Sequence, residues 1–314
     1  MSQRSASRAA EGPSFRALWD ARPARYRRAV WALLLGLDVL PWPLGEDVAA
    51  HLFAMAGIVR RSRRRRAVAW ASHQQGRRPW PLVVALCAFR GRWVARSALL
   101  GLRHPEDLRR HVVVHGAERL AAPGGSILLG FHVGPPNTDV ALRALGHRLA
   151  WLGGLRVSRG WSRAAWRPFL DPSEHLSAEA GGRFWAAALH RARRILLDGG
   201  RIFTMADSTP GREAFRLPVP GGPMIINQGW LSLHRQTGAR VLPVLSHLDG
   251  RTQVITIHPP LRPSGVDPVG EIAAWQDVLG RLLNEYVRWF PEQCPVRAFP
   301  ELPGKAAVVA SATP

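Results

Sequence analysis

The chain has 314 residues, 46% of them hydrophobic, which is enough to bury one substantial α/β core and just past the size at which a second domain becomes usual. Its 43 basic residues stand against 22 acidic ones, and all but Lys305 are Arg; the resulting charge of +21 attracts phosphates, nucleic acids, anionic lipid or an acidic carrier protein without choosing among them. The two cysteines, Cys87 and Cys294, are far apart and lack paired spacing, which excludes a zinc-ribbon or disulfide-stapled class and points to a reduced, cytosol-facing protein with no structural metal.

From the start of the chain, residues Met1 to Arg28 are rich in Arg, Ala and Ser and carry no apolar stretch ahead of a small-residue cleavage site, so export is not expected. Ala29 to Leu44, AVWALLLGLDVLPWPL, is short for a spanning helix, which needs about 20 residues. Trp31 and Trp42 mark its ends, and Arg22, Arg25, Arg27 and Arg28 precede it, a layout suited to a helix in the headgroup region. A buried core helix is the alternative. A second apolar run, His51 to Val59, leads into Arg60, Arg61 and Arg63 to Arg66. Such a cluster can hold anionic headgroups at about 1 kcal/mol per charge, or it can be a solvated face. No zinc finger, RNA-recognition signature or basic region followed by heptads accompanies it, so nucleic acid is not an expected partner. Six of the thirteen Trp fall in the first 93 residues among these Arg, which favours an anionic membrane surface.

Beyond about residue 105, short apolar runs alternate with longer helical stretches. Val112–Val114, Ile127–Leu129, Ile202–Met205, Val241–Leu245 and Val254–Ile257 read as strands bounded by Gly, Pro, Asp or Asn. Phe184–Leu197 and Glu271–Trp289 read as helices. This order predicts an α/β fold, a layered sheet flanked by helices. The division expected is a helical, membrane-associating region over 1–105, a catalytic domain over 106–300 and a loose tail over 301–314.

The sharpest feature is SILLGFHVGPPNTDVAL, Ser126 to Leu142. A buried strand runs to Gly130, the chain turns through Gly134, Pro135 and Pro136, and a helix starts near Asn137 or Thr138. His132 therefore lies on the loop leaving the C-terminal end of a strand, where ligands collect in open α/β sheets. With an unperturbed pKa of about 6.5, a histidine there is suited to general-base work, although a hydrogen-bonded structural residue is the commoner role for a lone loop histidine.

The segment resembles the first motif of the lipid A biosynthesis lauroyl and myristoyl acyltransferase family, related to the glycerolipid acyltransferases, in which a His is followed five positions later by Glu or Asp. Four further blocks resemble that family in order: VVVHGAERL from Val112, LLDGGRIFTMADSTPGREAFRLPVPGGP from Leu196, LSLHRQTGARVLPVLSH from Leu231, and NEYVRWFPEQ from Asn284. The resemblance spans roughly residues 105 to 295 and implies a glycerolipid acyltransferase-like fold. It also implies an acyl carrier protein or coenzyme A thioester as donor, a lipid acceptor, no cofactor, and a place on the cytoplasmic face of the inner membrane. His132 takes the place of the family's base. Where the family has its carboxylate, this chain has Asn137, which can orient an imidazole but cannot balance its charge; Asp139 is the nearest carboxylate that could substitute. Asn137 is equally a helix cap, and Asp139 a first-turn complement to the helix dipole. By the same resemblance Asp207, Gly211 and Arg212 line the acceptor or carrier-phosphate side, which an ordinary turn would also explain. The family's substrate-binding arginine falls among Arg159, Arg163 and Arg167. No serine in a nucleophile-elbow context and no cysteine near His132 suggests an acyl-enzyme, so direct transfer is expected. The replacement at Asn137 also admits a catalytically silent relative that binds acyl carriers or lipid.

Overall fold

The computed structural model describes residues 40–75, 79–99, 109–135, 137–153, 175–177, 182–207, 214–261 and 268–294. Among the described residues three helices come first: α1 (Trp42–Val59), α2 (Arg61–Gln75) and α3 (Trp80–Leu99). The α/β part follows as β1 (Val112–His115), β2 (Ser126–Gly130), α4 (Thr138–Ala144), β3 (Ala150–Gly153) and β4 (His175–Ser177). It continues with α5 (Gly182–Leu197), β5 (Arg201–Met205), β6 (Ala214–Leu217), β7 (Met224–Asn227) and α6 (Gly229–Thr237). It closes with β8 (Arg240–Asp249), β9 (Thr252–Ile257), α7 (Pro268–Trp289) and a 3₁₀ turn, Pro291–Gln293. The helix expected over Ala29–Leu44 lies, as far as Val39, outside the described residues.

Seven strands form one sheet in the order β1-β9-β8-β2-β5-β3-β4. Every neighbouring pair is parallel except β8 and β9, which form a hairpin around Gly250. The protein is thus a mixed α/β fold whose mostly parallel sheet is flanked by helices. All five strands expected from the sequence are present, and β3, β4 and the separate β6–β7 hairpin are additions.

β2 is at the centre and each of its five residues is buried; Ile127, Leu128 and Leu129 are apolar as suits a strand covered on both faces, and the Ser126 hydroxyl accepts from Arg240 Nη2 at 2.9 Å. Ile127 and Leu129 point to one face, where Ile202 and Val241 join them under α5 (Ala188, Ala192, Leu196) and α7 (Trp275, Leu279, Leu283, Val287). Those helical positions recur every three or four residues, which puts them on one stripe. Leu128 points to the other face with Phe203, Leu242 and Val244, under Ala141 and Leu142 of α4. Fully burying each Val, Leu, Ile or Phe among them contributes about 1.5–3 kcal/mol.

The N-terminal helices share this core. Trp70 and Ala71 of α2 and Leu82, Val83 and Leu86 of α3 belong to the same cluster as Ile127 and Trp275. Trp70 Nε1 donates to the Pro291 carbonyl at 3.1 Å, and α1 and α3 close together where Gly91 lies against the backbone of Ala49 and Ala50. A buried ion pair joins Arg96 Nε to Glu46 at 2.7 Å, and Arg96 Nη2 continues to the Arg251 carbonyl at 2.6 Å, tying α1 and α3 to the β8–β9 turn.

The outer face of α1 is mostly apolar, with the exposed His51 among its residues. Leu44, Val48, Leu52, Met55 and Val59 repeat at helical spacing and are 38 to 75% exposed, while Glu46, Ala49, Ala50 and Ala54 on the opposite side are buried. Among the described residues no helix is long and apolar enough to cross a membrane.

Candidate active site

The site begins with register. Gly130, the last residue of β2, pairs with Met205, the last residue of β5, and the Ala206 N–H donates to the Gly130 carbonyl at 2.9 Å. His132 and Asp207 each stand two residues beyond that pair, at the C-terminal ends of adjacent parallel strands. Gly130 is required here because a Cβ would strike the Phe203 ring. Phe131 and Val133 are buried in the core at 3 and 1% exposure, whereas the His132 ring between them is 42% exposed.

Asp207 holds His132 twice. Both carboxylate oxygens accept the His132 backbone N–H at 2.9 Å, and Oδ1 also meets the ring Nδ1 at 2.9 Å. The Asp207 side chain is 2% exposed, so these bonds satisfy a carboxylate that water barely reaches. An ionised carboxylate can only accept, which makes Nδ1 the donor and puts the lone pair of the neutral ring on Nε2. A histidine in that tautomer, backed by a negative charge, is built to take a proton at Nε2.

The segment after His132 is held from the other side. Gly134 has φ +73°, and a Cβ there would land on the Ser246 carbonyl and crowd the Tyr286 hydroxyl. Its N–H donates to the Gln293 carbonyl at 2.7 Å. Gln293 is 4% exposed, and its side chain pairs with the end of β8, accepting from the Leu248 N–H at 2.7 Å and donating to the Leu248 carbonyl at 2.8 Å. The Tyr286 hydroxyl donates to the Ser246 carbonyl at 2.6 Å.

The carboxylate on the His132 ring is thus that of Asp207, and Asp139, the residue to which the sequence pointed, lies on the helix that follows the loop. Asp139 lies in the first turn of α4 and is 8% exposed. Burial pushes its carboxyl from the ordinary 3.8 up to about 6, against the opposing pull of the Arg143 charge and of the backbone N–H groups of Val140 and of Asp139 itself. Asn137 occupies the N-cap position but makes no cap bond. It is fully buried, and neither Oδ1 nor Nδ2 finds a partner among the described residues. Thr138 makes the local bond, its hydroxyl donating to the Pro135 carbonyl at 2.9 Å.

Gly211, Arg212, Arg159, Arg163 and Arg167 lie outside the described residues. Among those described, no three His, Cys, Asp or Glu side chains gather as metal ligands would. In the sequence Gln293 and Tyr286 are part of NEYVRWFPEQ, and nothing in that stretch indicates that they reach the His132 loop.

No family model matches the chain, and no curated protein matches it. Among solved structures it is similar to the 1-acyl-sn-glycerophosphate (LPA) acyltransferase PlsC from Thermotoga maritima, at 17% identity and a TM-score of 0.39, over 78% of this chain and 97% of that one.

Proposed function

We propose that this protein is an acyltransferase that moves a fatty acyl group from an acyl carrier protein or coenzyme A thioester to a hydroxyl or amine of a lipid acceptor. The observation that carries the reading is the His132 ring, half exposed at the C-terminal edge of the sheet with its Nδ1 on the buried Asp207 carboxylate. The five ordered blocks of resemblance supply the substrate class.

In this reading His132 Nε2 takes the acceptor's proton as the acceptor oxygen or nitrogen attacks the thioester carbonyl. The tetrahedral intermediate collapses, the C–S bond breaks, and the imidazolium returns the proton to the leaving thiolate. Asp207 stabilises the imidazolium in between, a charge that Asn137 cannot supply. That argues for an enzyme over the catalytically silent alternative. An acceptor related to lipid A precursors is the first candidate, and a lysophospholipid or glycolipid the next.

The exposed apolar row of α1 supports a site of action on the cytoplasmic face of the inner membrane. Arg60, Arg61 and Arg65, exposed just beyond it, suit anionic headgroups. The catalytic end of the sheet would then work on lipid at the membrane surface.

The test compares lipid extracts of deletion, wild-type and His132→Ala cells by mass spectrometry. A lipid missing one acyl chain in both the deletion and the variant names acceptor and chain length together. Identical lipid profiles in all three would discard the acyltransferase reading.

A further inference from the structure

We infer that Gln293 is a positioning residue for His132, acting from the far end of the chain. The inference rests on the reading of His132 as the base.

The loop that carries His132 is fixed at alternate backbone N–H groups. Asp207 takes the N–H of His132, and the Gln293 carbonyl takes the N–H of Gly134 at 2.7 Å. Between them only Val133 intervenes, and it is buried in the core at 1% exposure. With both grips in place the imidazole has a set height and a set direction. Without the second, the turn loses its hold at Gly134, the one residue in it with left-handed backbone.

Gln293 can serve as a grip because it is itself held on three sides. Its side chain bonds the N–H and the carbonyl of Leu248, extending β8 as a strand neighbour would. Its own N–H donates to the Phe290 carbonyl at 3.0 Å, closing the 3₁₀ turn, and Trp70 Nε1 holds the Pro291 carbonyl two residues earlier. A carboxamide is the right group, since it alone offers one donor and one acceptor side by side to a peptide unit. Ser246 completes the seat. Its carbonyl lies where a Gly134 side chain would be, receives the Tyr286 hydroxyl, and its Oγ accepts from Gln253 Nε2 at 3.0 Å. The bonds described here reach the loop at its backbone, through the Gly134 N–H; they set where the imidazole stands.

The experiment uses the full-length protein with lauroyl-coenzyme A as donor and detergent-dispersed total lipid extract as acceptor. It compares wild type, Gln293→Met, Asp207→Asn, the double variant and His132→Ala. Methionine keeps the length and volume of glutamine without its hydrogen bonds. Displacing a reacting group by about 1 Å costs on the order of 100-fold. Gln293→Met should therefore lose about 10- to 100-fold in kcat with the donor KM within about twofold. Because both residues act through one imidazole, the double variant should fall no more than about threefold below Asp207→Asn alone. A kcat within about twofold of wild type, or losses that simply multiply, would overturn the inference. Full activity in His132→Ala would instead remove the base itself, so the two failures are distinguishable. If Gln293→Met does not fold, hydrogen exchange on the wild type decides. Gly134 and Leu248 amides protected to the same degree support the grip, and a Gly134 amide exchanging as in an open loop removes it.

Discussion

Asp207 and His132 meet because β2 and β5 end in register. The carboxylate lies 75 positions along the chain from the imidazole, yet it bonds both its backbone and its ring at 2.9 Å. The backbone bond makes the pairing robust, since any shift of the loop that freed the ring would also strip a buried carboxylate of its other donor.

Asp207→Asn is expected to lower turnover by about 10²- to 10⁴-fold while the protein still folds. A carboxamide can accept the backbone N–H, but it can present its NH₂ to Nδ1, turning the ring to the tautomer whose Nε2 carries the proton. In serine proteases the corresponding change costs about 10⁴. Steady-state kinetics beside a thermal melt checks this; loss of activity that only follows loss of folded protein would contradict it.

Asn137 should respond differently. A buried carboxamide without partners costs about 1–3 kcal/mol, so Asn137→Leu is expected to raise stability by an amount of that order and to leave turnover within a few-fold. Asn137→Glu adds a buried charge near Asp139 and should destabilise without raising activity. Urea unfolding with parallel kinetics reads both; a gain of activity in Asn137→Glu would return the supporting role to position 137.

Asp139 predicts a pH dependence of unusual sign. Its folded pKa, about 6, lies above the unfolded 3.8, so between those values the folded state holds more proton than the unfolded. Stability contributed by this group is therefore full below about pH 4 and declines as pH rises to about 6, by about 3 kcal/mol at most. Asp139→Asn should flatten that slope and stabilise the protein above pH 6. Unfolding free energies of the two proteins from pH 4 to 7 test it, and parallel curves would show that Asp139 does not titrate in this window.

Much of this fold is legible in the sequence. β2 reads as a strand because Ile127–Leu129 is an apolar run bounded by Gly125-Ser126 and Gly130, and it locates His132 just past a strand's end. β3 is missed because AWLG is four residues long and ends in Gly, and β4 because HLS is three. The sequence brings Asp207 to the site only through the family resemblance, and its bond to the His132 ring is not legible for another reason. Spacing along a chain reveals helical neighbours, so Asp139 stands out, whereas Asp207 becomes a neighbour only through the strand order β2-β5, which no local pattern encodes. Gln293 is hidden in the same way.

The α1 surface gives the last prediction. Wild-type protein should bind vesicles containing phosphatidylglycerol and remain partly bound at 1 M salt, where the Debye length falls to about 3 Å and charge attraction fades. Replacing Leu52 and Met55 by Glu should leave the arginines to act alone, so that salt releases this variant completely. Equal retention of the two proteins in a flotation assay at 1 M salt would show that α1 does not insert.

The hold of Gln293 on Gly134 also bears on how the protein is made. About 160 residues separate the two, so at 5–20 residues per second roughly 10–30 s of synthesis pass between the His132 loop and the residue that fixes it. Trp70 waits longer still, since its acceptor lies 221 positions downstream. Asp207 follows His132 by 75 positions, and β5 and β8, the neighbours of β2, also precede Gln293, so for the later part of that interval the histidine loop has its first grip without its second. Competence arrives with the 3₁₀ turn at Pro291–Gln293, so a chain cut short just before residue 293 would retain every described strand and still lack a seated base.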